Sequence, residues 1–239
     1  MKIGILAAFV AALGLMACGV AFGNIKGSGS VVTQHMPISD FTKIETGNSF
    51  KVTITRSDEF SVQVKADDNL VEHLDVRKSD DTLTIRLTPG KSTRNATLEA
   101  EVSLPSLTGV KLTGASYGTI LGFMSTGEFG ADLSGASRLS GDIQATQTLV
   151  ELSGASSVDL TRSSASLSLK ASGASKAKME DFAIDEAEVH LSGASSATLN
   201  VKDNIGPAAL SGASKLIYLG DPTFSDFQTS GASSISARE

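Results

Sequence analysis

The chain has 239 residues and a formal net charge of −6, with 41% apolar and 19% charged residues. This composition is typical of a folded domain and excludes a disordered chain, while a single cysteine excludes a disulfide framework. Aromatic residues amount to only 5%, with no tryptophan, and the balance of charge is acidic. Together these exclude the stacking platforms and basic grooves of nucleic-acid-binding proteins.

Residues 1–23 have the pattern of an export signal. Lys2 supplies a short positive start, and residues 3–17 form an apolar run without a charge. Such a run is too short to span a bilayer comfortably and is typical of a signal peptide. Removing Lys2 with the leader leaves 19 basic and 26 acidic residues, a net charge of −7.

Two processing routes stay open for this leader. Leu15-Met16-Ala17-Cys18 is similar to a bacterial lipoprotein box, in which Cys18 would become the lipidated first residue. Alternatively, Ala21-Phe22-Gly23 offers small residues for cleavage before Asn24. Either route exports the protein, as an outer-membrane lipoprotein or as a periplasmic or secreted protein. We therefore expect contact with a membrane only through an N-terminal lipid.

Residues 24–109 have β-strand character without a repeat. Alternating apolar and polar residues predict strands at 50–55, 60–65, 82–87 and 96–102. Residues 68–74 predict one or two helical turns capped by Asp68. Because repeat proteins need atypical ends to close their core, we expect this region to be an N-terminal cap with irregular first coils.

A repeat of Thr/Ser-Gly-Ala-Ser dominates the remainder of the chain. It occurs seven times, with spacings of 21, 19, 19, 20, 19 and 19 residues. Its glycines are Gly114, Gly135, Gly154, Gly173, Gly193, Gly212 and Gly231. The positions two and four residues before these glycines, and four and six residues after them, are mostly apolar. Polar residues lie between them, a period of two that predicts strands buried on one face. About eight further residues per repeat leave room for a turn and a short third strand.

Repeats of this length predict an all-β solenoid with 19–21-residue coils, because propeller blades need about 40 residues each. Glycine suits a sharp corner between two strands, and alanine keeps that corner small. The last serine of each motif could form a hydroxyl ladder between coils or bond the turn backbone. Stacking also predicts ion pairs between Lys111 and Asp132 and between Glu151 and Lys170, but places Asp132 beside Glu151.

The domain organisation follows from this pattern. We assign residues 1–23 to the signal peptide, 24–109 to the cap and irregular coils, and 110–239 to seven Ser-Gly-Ala-Ser coils. Residues 25–239 then form one continuous domain, because no Pro/Gly linker separates cap from repeats. Few residues follow Ser233, so exposed strand edges predict a homo-oligomer.

Several blocks of the chain resemble one known family. They are Ile25-Lys-Gly-Ser-Gly-Ser-Val-Val32, Phe41-Thr-Lys-Ile-Glu-Thr-Gly47, Val64-Lys-Ala-Asp-Asp-Asn-Leu70, Leu83-Thr-Ile85 and the serial Ser-Gly-Ala-Ser motifs. This combination resembles the head GIN domain family, named as putative auto-transporter adhesins of the bacterial cell envelope. The resemblance implies a right-handed parallel β-helix that is exported or lipid-anchored and has no assigned enzyme activity. It supplies no family functional residues to carry over.

Candidate chemistry is sparse. Asp132 and Glu151 are the one acidic pair that stacking brings together in the best-defined column, as a glycosidase would need. His35, His73 and His190 are isolated, without the spacing of metal ligands. We therefore expect no catalytic, cofactor-binding or metal site, and no cofactor.

The leading hypothesis is a non-enzymatic cell-envelope β-helix, an adhesin or binding scaffold whose flat side binds a surface glycan or protein. The alternative is a carbohydrate-active β-helix enzyme, a polysaccharide lyase or hydrolase that would use Asp132.

Overall fold

The computed structural model describes residues 23–124 and 127–238, which are mostly β-strand. The first part contains β1 (Gly23–Lys26), β2 (Val31–Met36), β3 (Lys43–Thr46), β4 (Lys51–Arg56), β5 (Ser61–Asp67), a short 3-10 helix (Asp68–His73), β6 (Leu74–Ser79), β7 (Thr82–Leu87), β8 (Lys91–Arg94) and β9 (Leu98–Leu104). The repeat part contains β10 (Gly109–Leu112), β11 (Tyr117–Met124), β12 (Glu128–Leu133), β13 (Arg138–Leu152), β14 (Ser157–Ala171), β15 (Lys176–Leu191), β16 (Ser196–Leu210), β17 (Lys215–Leu219), β18 (Thr223–Phe224), β19 (Phe227–Thr229) and β20 (Ser234–Ala237). Residues 1–22 of the predicted signal peptide, Cys18 among them, lie outside the described residues.

The strands stack as a parallel β-helix, which confirms the predicted fold. Of the described strands, all but β1 and β8 belong to one hydrogen-bonded sheet of 18 strands. In each coil, the segment before the Gly-Ala-Ser corner lies on what we call the first face, and the segment after it lies on the second face. The long strands β13 to β16 bend and supply both faces. The predicted third short strand is also present, since residues 142–145 pair with residues 161–164.

The alternating columns point into the core as predicted. Val110, Leu112, Val150, Leu152 and their equivalents in other coils are at most 4% exposed. The last coil differs, because Phe227 occupies an inward position and is 36% exposed. At the N-terminal end, Phe41 and Phe50 are fully buried, and the rings of Phe41 and Phe60 pack with centroids 5.1 Å apart. These phenylalanines close the core at that end.

The seven corner glycines have φ between 70° and 75°, a left-handed conformation that favours glycine. At Gly135 and the five corner glycines after it, a Cβ atom would lie 2.3–2.7 Å from the carbonyl oxygen of the glycine one coil earlier. The alanine after each of these glycines donates its N–H to that same carbonyl, as in the 2.7 Å bond from Ala155 to Gly135. The corners therefore stack through a continuous row of backbone hydrogen bonds.

Of the two arrangements expected for the last serine of each motif, the structure shows bonds to backbone carbonyls and, in the described residues, no ladder of hydroxyl groups between coils. From Ser116 to Ser214 these serines are buried. The Ser156 hydroxyl is 2.8 Å from the carbonyl oxygen of Ser153 and 3.2 Å from that of Leu133, and it donates to these turn carbonyls rather than to another serine. The Leu133 oxygen already accepts the N–H of Ser153 at 2.9 Å, so the hydroxyl adds a second donor there and supplies a buried donor to the Ser153 oxygen in the corner. The serine column consequently offers no surface to a partner.

The region before Gly109 contributes a further coil that the motif did not reveal. Strands β3 and β4 stack in parallel on β10 and β11, and Asn48-Ser49-Phe50 takes the place of Gly-Ala-Ser at their corner. Asn48 and Ser49 have φ of 56° and 65° there. Strands β2, β5 and β6 then run antiparallel to their neighbours and cover the end of the helix.

The predicted cap of the short helix is wrong. The 3-10 helix begins at Asp68, and the capping position is held by Asp67, whose side chain makes no capping bond. The Asp67 carboxylate instead accepts hydrogen bonds from the N–H groups of Gly29 and Thr97. These long-range partners are not visible in the local sequence.

Candidate functional site

A groove interrupts the otherwise flat first face. Its floor lies five residues before each corner glycine, in an outward-facing column that runs across neighbouring strands. In spatial order this column contains Lys43, Gly109, Gly130, Leu149 and Ser168. The groove has a volume of about 410 Å3, and we call it the glycine groove. It is the place on this face where a ligand could be partly enclosed.

The two floor glycines are not required by the backbone. Neither Gly109 nor Gly130 has a positive φ, unlike the corner glycines. A Cβ atom at Gly130 would approach nothing closer than the Thr108 carbonyl oxygen, at 3.9 Å. At Gly109 it would lie 3.3 Å from Cγ of Lys43, a flexible side chain. The absence of side chains at these two positions therefore opens the groove and does not serve a turn of the backbone.

Charged side chains flank the floor in the next outward column. In register, this column contains Glu45, Lys111, Asp132, Glu151, Lys170 and His190. The Lys111 ammonium is 3.1 Å from an Asp132 oxygen, and the Lys170 ammonium is 3.6 Å from a Glu151 oxygen. Both predicted ion pairs are therefore confirmed. We call this column the charged ladder.

Electrostatics on the charged ladder favour the ionised form of Lys111. The hydrogen bond to Asp132, and the negative charges of Asp132 and Glu45, raise the pKa of Lys111 above its ordinary value. At the N-terminal end of the floor column, the Lys43 ammonium lies 3.1 Å from an Asp81 oxygen. The groove thus presents fixed ammonium donors and carboxylate acceptors side by side.

A shallower depression of about 470 Å3 continues the first face toward the C-terminal coils. Lys170, His190 and Ala209 line it in register. The His190 ring nitrogen is 2.9 Å from a Glu188 oxygen. Together with the glycine groove, this depression provides an elongated path across several coils.

The structure brings the predicted acidic pair to neighbouring coils but gives each member a lysine partner. Asp132 and Glu151 are side by side in register, with 50% and 63% of their side chains exposed. His35 lies on β2 and His73 ends the short helix, so neither joins His190. Within the described residues, no group of three or more histidine, cysteine, aspartate or glutamate side chains could hold a metal ion.

Sequence reasoning missed the groove, although a signal was present. Aligned on the corner glycines, the fifth preceding position reads Gly109, Gly130, Leu149, Ser168, Glu188, Pro207 and Asp226. Two glycines that are partners on neighbouring strands, neither with a positive φ, mark a place where side chains are absent from the surface. The alignment of the inward columns alone does not reveal them.

Known structures share this fold. A putative adhesin from Bacteroides fragilis superimposes with a TM-score of 0.82 at 22% identity, covering 90% of this chain and all of that one. A putative lipid binding protein from Parabacteroides distasonis gives a TM-score of 0.70 at 17% identity, again covering 90% and 100% of the two chains. A putative adhesin from Parabacteroides merdae gives 0.59 at 14% identity, covering 91% and 100%. A comparison with curated proteins finds no match.

Within the part of the chain that the structure describes, no helix is long and apolar enough to cross a membrane.

Family membership rests on the sequence itself. The family described as "Putative auto-transporter adhesin, head GIN domain" matches residues 40–222, which include the first-face strands and the glycine groove. The chain therefore belongs to the head GIN domain family.

Proposed function

We propose that this protein is an exported, non-enzymatic binding protein of the cell envelope that holds a surface glycan in the glycine groove. The observation that carries the proposal is the pair of floor glycines, Gly109 and Gly130. Their missing side chains open a groove between two neighbouring strands whose backbone conformation does not require glycine. Family membership among proteins named as adhesins supports a binding role.

The chemistry of the groove suits a neutral sugar chain. A sugar ring has an apolar C–H face and a rim of hydroxyl groups that both donate and accept. The glycine floor with Leu149 can pack against the C–H face, while Asp132 and Glu151 accept from hydroxyls and Lys111 donates to them. The existing ion pairs hold these groups in place before the ligand arrives, which lowers the entropic cost of binding.

The proposal is tested by filling the groove. Gly130→Val adds a strand-forming side chain where there is space for a Cβ, so the fold is expected to remain intact. Thr198→Val, which places the same side chain outward on the second face, is the matched control. On a glycan array followed by calorimetry, the wild-type mature chain and Thr198→Val should bind the same neutral glycans, and Gly130→Val should not.

Two results would overturn this assignment. Unchanged glycan binding by Gly130→Val would remove the groove from the site. Groove-dependent binding of defined peptides, without binding of glycans, would replace the glycan with a protein partner.

A non-enzymatic role is supported by the state of the acidic pair. Glycosidases need one carboxyl group that stays protonated, which usually requires an apolar setting. Asp132 and Glu151 are instead half-exposed and each faces a lysine. The carbohydrate-active alternative predicts turnover of a bound polysaccharide that Asp132→Asn abolishes, so reducing-sugar release by the wild type decides between the two.

A further inference from the structure

The second face carries an outward column with a different charge pattern. In register across the strands it contains Lys51, Tyr117, Arg138, Ser157, Lys176, Ser196, Lys215 and Ser234. We call this column the basic row. Arg138, Lys176 and Lys215 are all exposed, and one serine separates each of these three cations from the next.

The cations of the basic row lack acidic partners. Among the described residues, none of Arg138, Lys176 and Lys215 has a carboxylate oxygen within 4.0 Å. In the neighbouring outward column, Asp159 pairs with Lys178 at 3.9 Å. By contrast, the lysines of the first face are paired with acids at 3.1–3.6 Å. A chain with a net charge of −6 therefore keeps a line of uncompensated positive charge on one face.

The row also contains an aromatic side chain, Tyr117, which lies in register between Lys51 and Arg138. Tyr117 is 45% exposed, and the Arg138 guanidinium lies 5.9 Å from the centroid of its ring. This contact holds the guanidinium beside the ring. An exposed tyrosine next to cations and hydroxyls can stack on a sugar ring, bond its hydroxyls and neutralise an acidic group.

The spacing of the row selects among anionic polymers. Parallel strands are separated by about 4.8 Å, so cations on alternate coils recur at roughly 9.6 Å. An extended sugar chain advances by about one coil spacing per sugar. The spacing of the cations therefore matches the spacing of carboxylates carried on every second sugar. The intervening serines would face the neutral sugars between them.

We propose that the second face binds a linear acidic polysaccharide with one carboxylate per disaccharide, aligned with the solenoid axis. Arg138, Lys176 and Lys215 each meet a carboxylate, and Tyr117 stacks on a sugar ring next to the one held by Arg138. This site is separate from the glycine groove and does not depend on it.

The test uses the full mature chain and three polysaccharides with different charge spacing. Hyaluronan carries a carboxylate on alternate sugars, polygalacturonate carries one on every sugar, and dextran is neutral. By biolayer interferometry, hyaluronan should bind most tightly, dextran should not bind, and affinity should fall as salt rises, because exposed charges are screened.

Two triple variants separate the row from net charge. Arg138→Gln, Lys176→Gln and Lys215→Gln together should weaken hyaluronan binding about tenfold. Lys26→Gln, Lys78→Gln and Lys202→Gln together make the same change in formal charge at exposed sites elsewhere and should leave affinity near that of the wild type. Tyr117→Ala should weaken binding severalfold through loss of stacking.

The possible contrary results are distinct. Equal losses in the two triple variants would mean that only net charge matters, and equal affinity for polygalacturonate would show that the period is not recognised. Binding to vesicles of anionic phospholipid without binding to hyaluronan would assign the row to a lipid surface. The groove variant is scored on neutral glycans and the row variants on acidic ones, so failure of one proposal is distinguishable from failure of the other.

Discussion

The Oδ2 atom of Asp67 lies 2.6 Å from the backbone nitrogen of Thr97, across 30 residues of sequence. The Oδ1 atom of the same carboxylate is 2.7 Å from the nitrogen of Gly29. Asp67 is only 1% exposed, so these two N–H donors replace the water that a carboxylate normally binds. One side chain thereby joins the loop before β2 to the start of β9 at the capped end of the solenoid.

Replacing this carboxylate should destabilise the cap. Asp67→Asn keeps the size but substitutes an NH2 donor for one acceptor, which leaves one backbone N–H without a partner. We expect a loss of about 1–3 kcal/mol in the free energy of unfolding, measured by urea titration. Asp221→Asn, at an exposed position, is the control and should change stability by less than about 0.5 kcal/mol. Equal losses in the two variants would contradict the structural role of Asp67.

The two kinds of glycine should respond in opposite ways to the same substitution. Gly154→Ala forces a side chain into a φ of 71° and 2.5 Å from the Gly135 carbonyl oxygen. We expect a loss of more than about 2 kcal/mol, because left-handed strain alone costs roughly 1–2 kcal/mol. Gly130→Ala has no such strain and should be neutral or stabilising by about 0.5 kcal/mol. Thermal unfolding of both variants would show whether corner and groove glycines differ as described.

The buried serines should matter for stability although they are absent from the surface. Ser156→Ala removes the donor to the carbonyl oxygens of Ser153 and Leu133 and should cost about 0.5–1.5 kcal/mol. Ser153→Ala, in the same corner but exposed, should cost much less. Denaturant midpoints of the two variants provide the comparison, and a harmless Ser156→Ala would show that the corner carbonyls do not need the hydroxyl.

A carboxylate at the bend after the second face should make part of the stability depend on pH. Burial of the Asp142 carboxyl tends to raise its pKa, but the Gly122 N–H at 2.9 Å and the Arg162 guanidinium at 2.6 Å outweigh burial and lower it. Because the folded pKa lies below the unfolded value, the contribution is present above about pH 4 and is lost as pH falls through the folded pKa.

The corresponding variant tests this sign. Asp142→Asn should cost about 0.5–1 kcal/mol at pH 7, a value kept small because the ion pair is partly exposed. The difference from wild type should shrink as the pH is lowered below 4. Asp181→Asn, at an exposed position near the same bend, should show no such trend. A difference that stays constant with pH would assign the effect to packing rather than to charge.

The processing route of the leader is open to direct measurement. If Cys18 is lipidated, the intact mass will correspond to a diacylated chain beginning at Cys18, and the protein will sediment with membranes. Cys18→Ser should then release it into the soluble fraction. A wild-type chain that begins at Asn24 and is soluble would exclude the lipoprotein route and favour a periplasmic or secreted protein.

The repeat part of the fold could be predicted closely because each corner glycine must return to the same place in every coil. That requirement sets the register, so the inward columns and the Lys111–Asp132 pair follow from alignment alone. The coil formed by β3 and β4 could not be predicted in this way. Its corner reaches left-handed φ with Asn48 and Ser49, and its position is set by backbone bonding to β10 and β11.

The sites were harder to predict than the fold. The alternation of apolar and polar residues along a strand identifies each residue as inward or outward. It does not apply within a corner, where the direction of the Ser156 side chain depends on the backbone carbonyls that accept its hydrogen bond. The Asp67 contacts join segments that are distant in sequence and share no pattern. The glycine groove depends on absent side chains. The cations of the basic row can be recognised as a row only when the register of the strands is known.

The row of stacked corners makes the length of this protein adjustable in whole units. Residues 154–172 comprise one period, from one corner glycine to the residue before the next. Their removal would bring Gly173 to the position now held by Gly154, above Gly135, with the same backbone bonds available. Duplication would add a unit equally well. Relatives of this protein could therefore acquire longer or shorter contact surfaces by gaining or losing single coils, without redesigning a core.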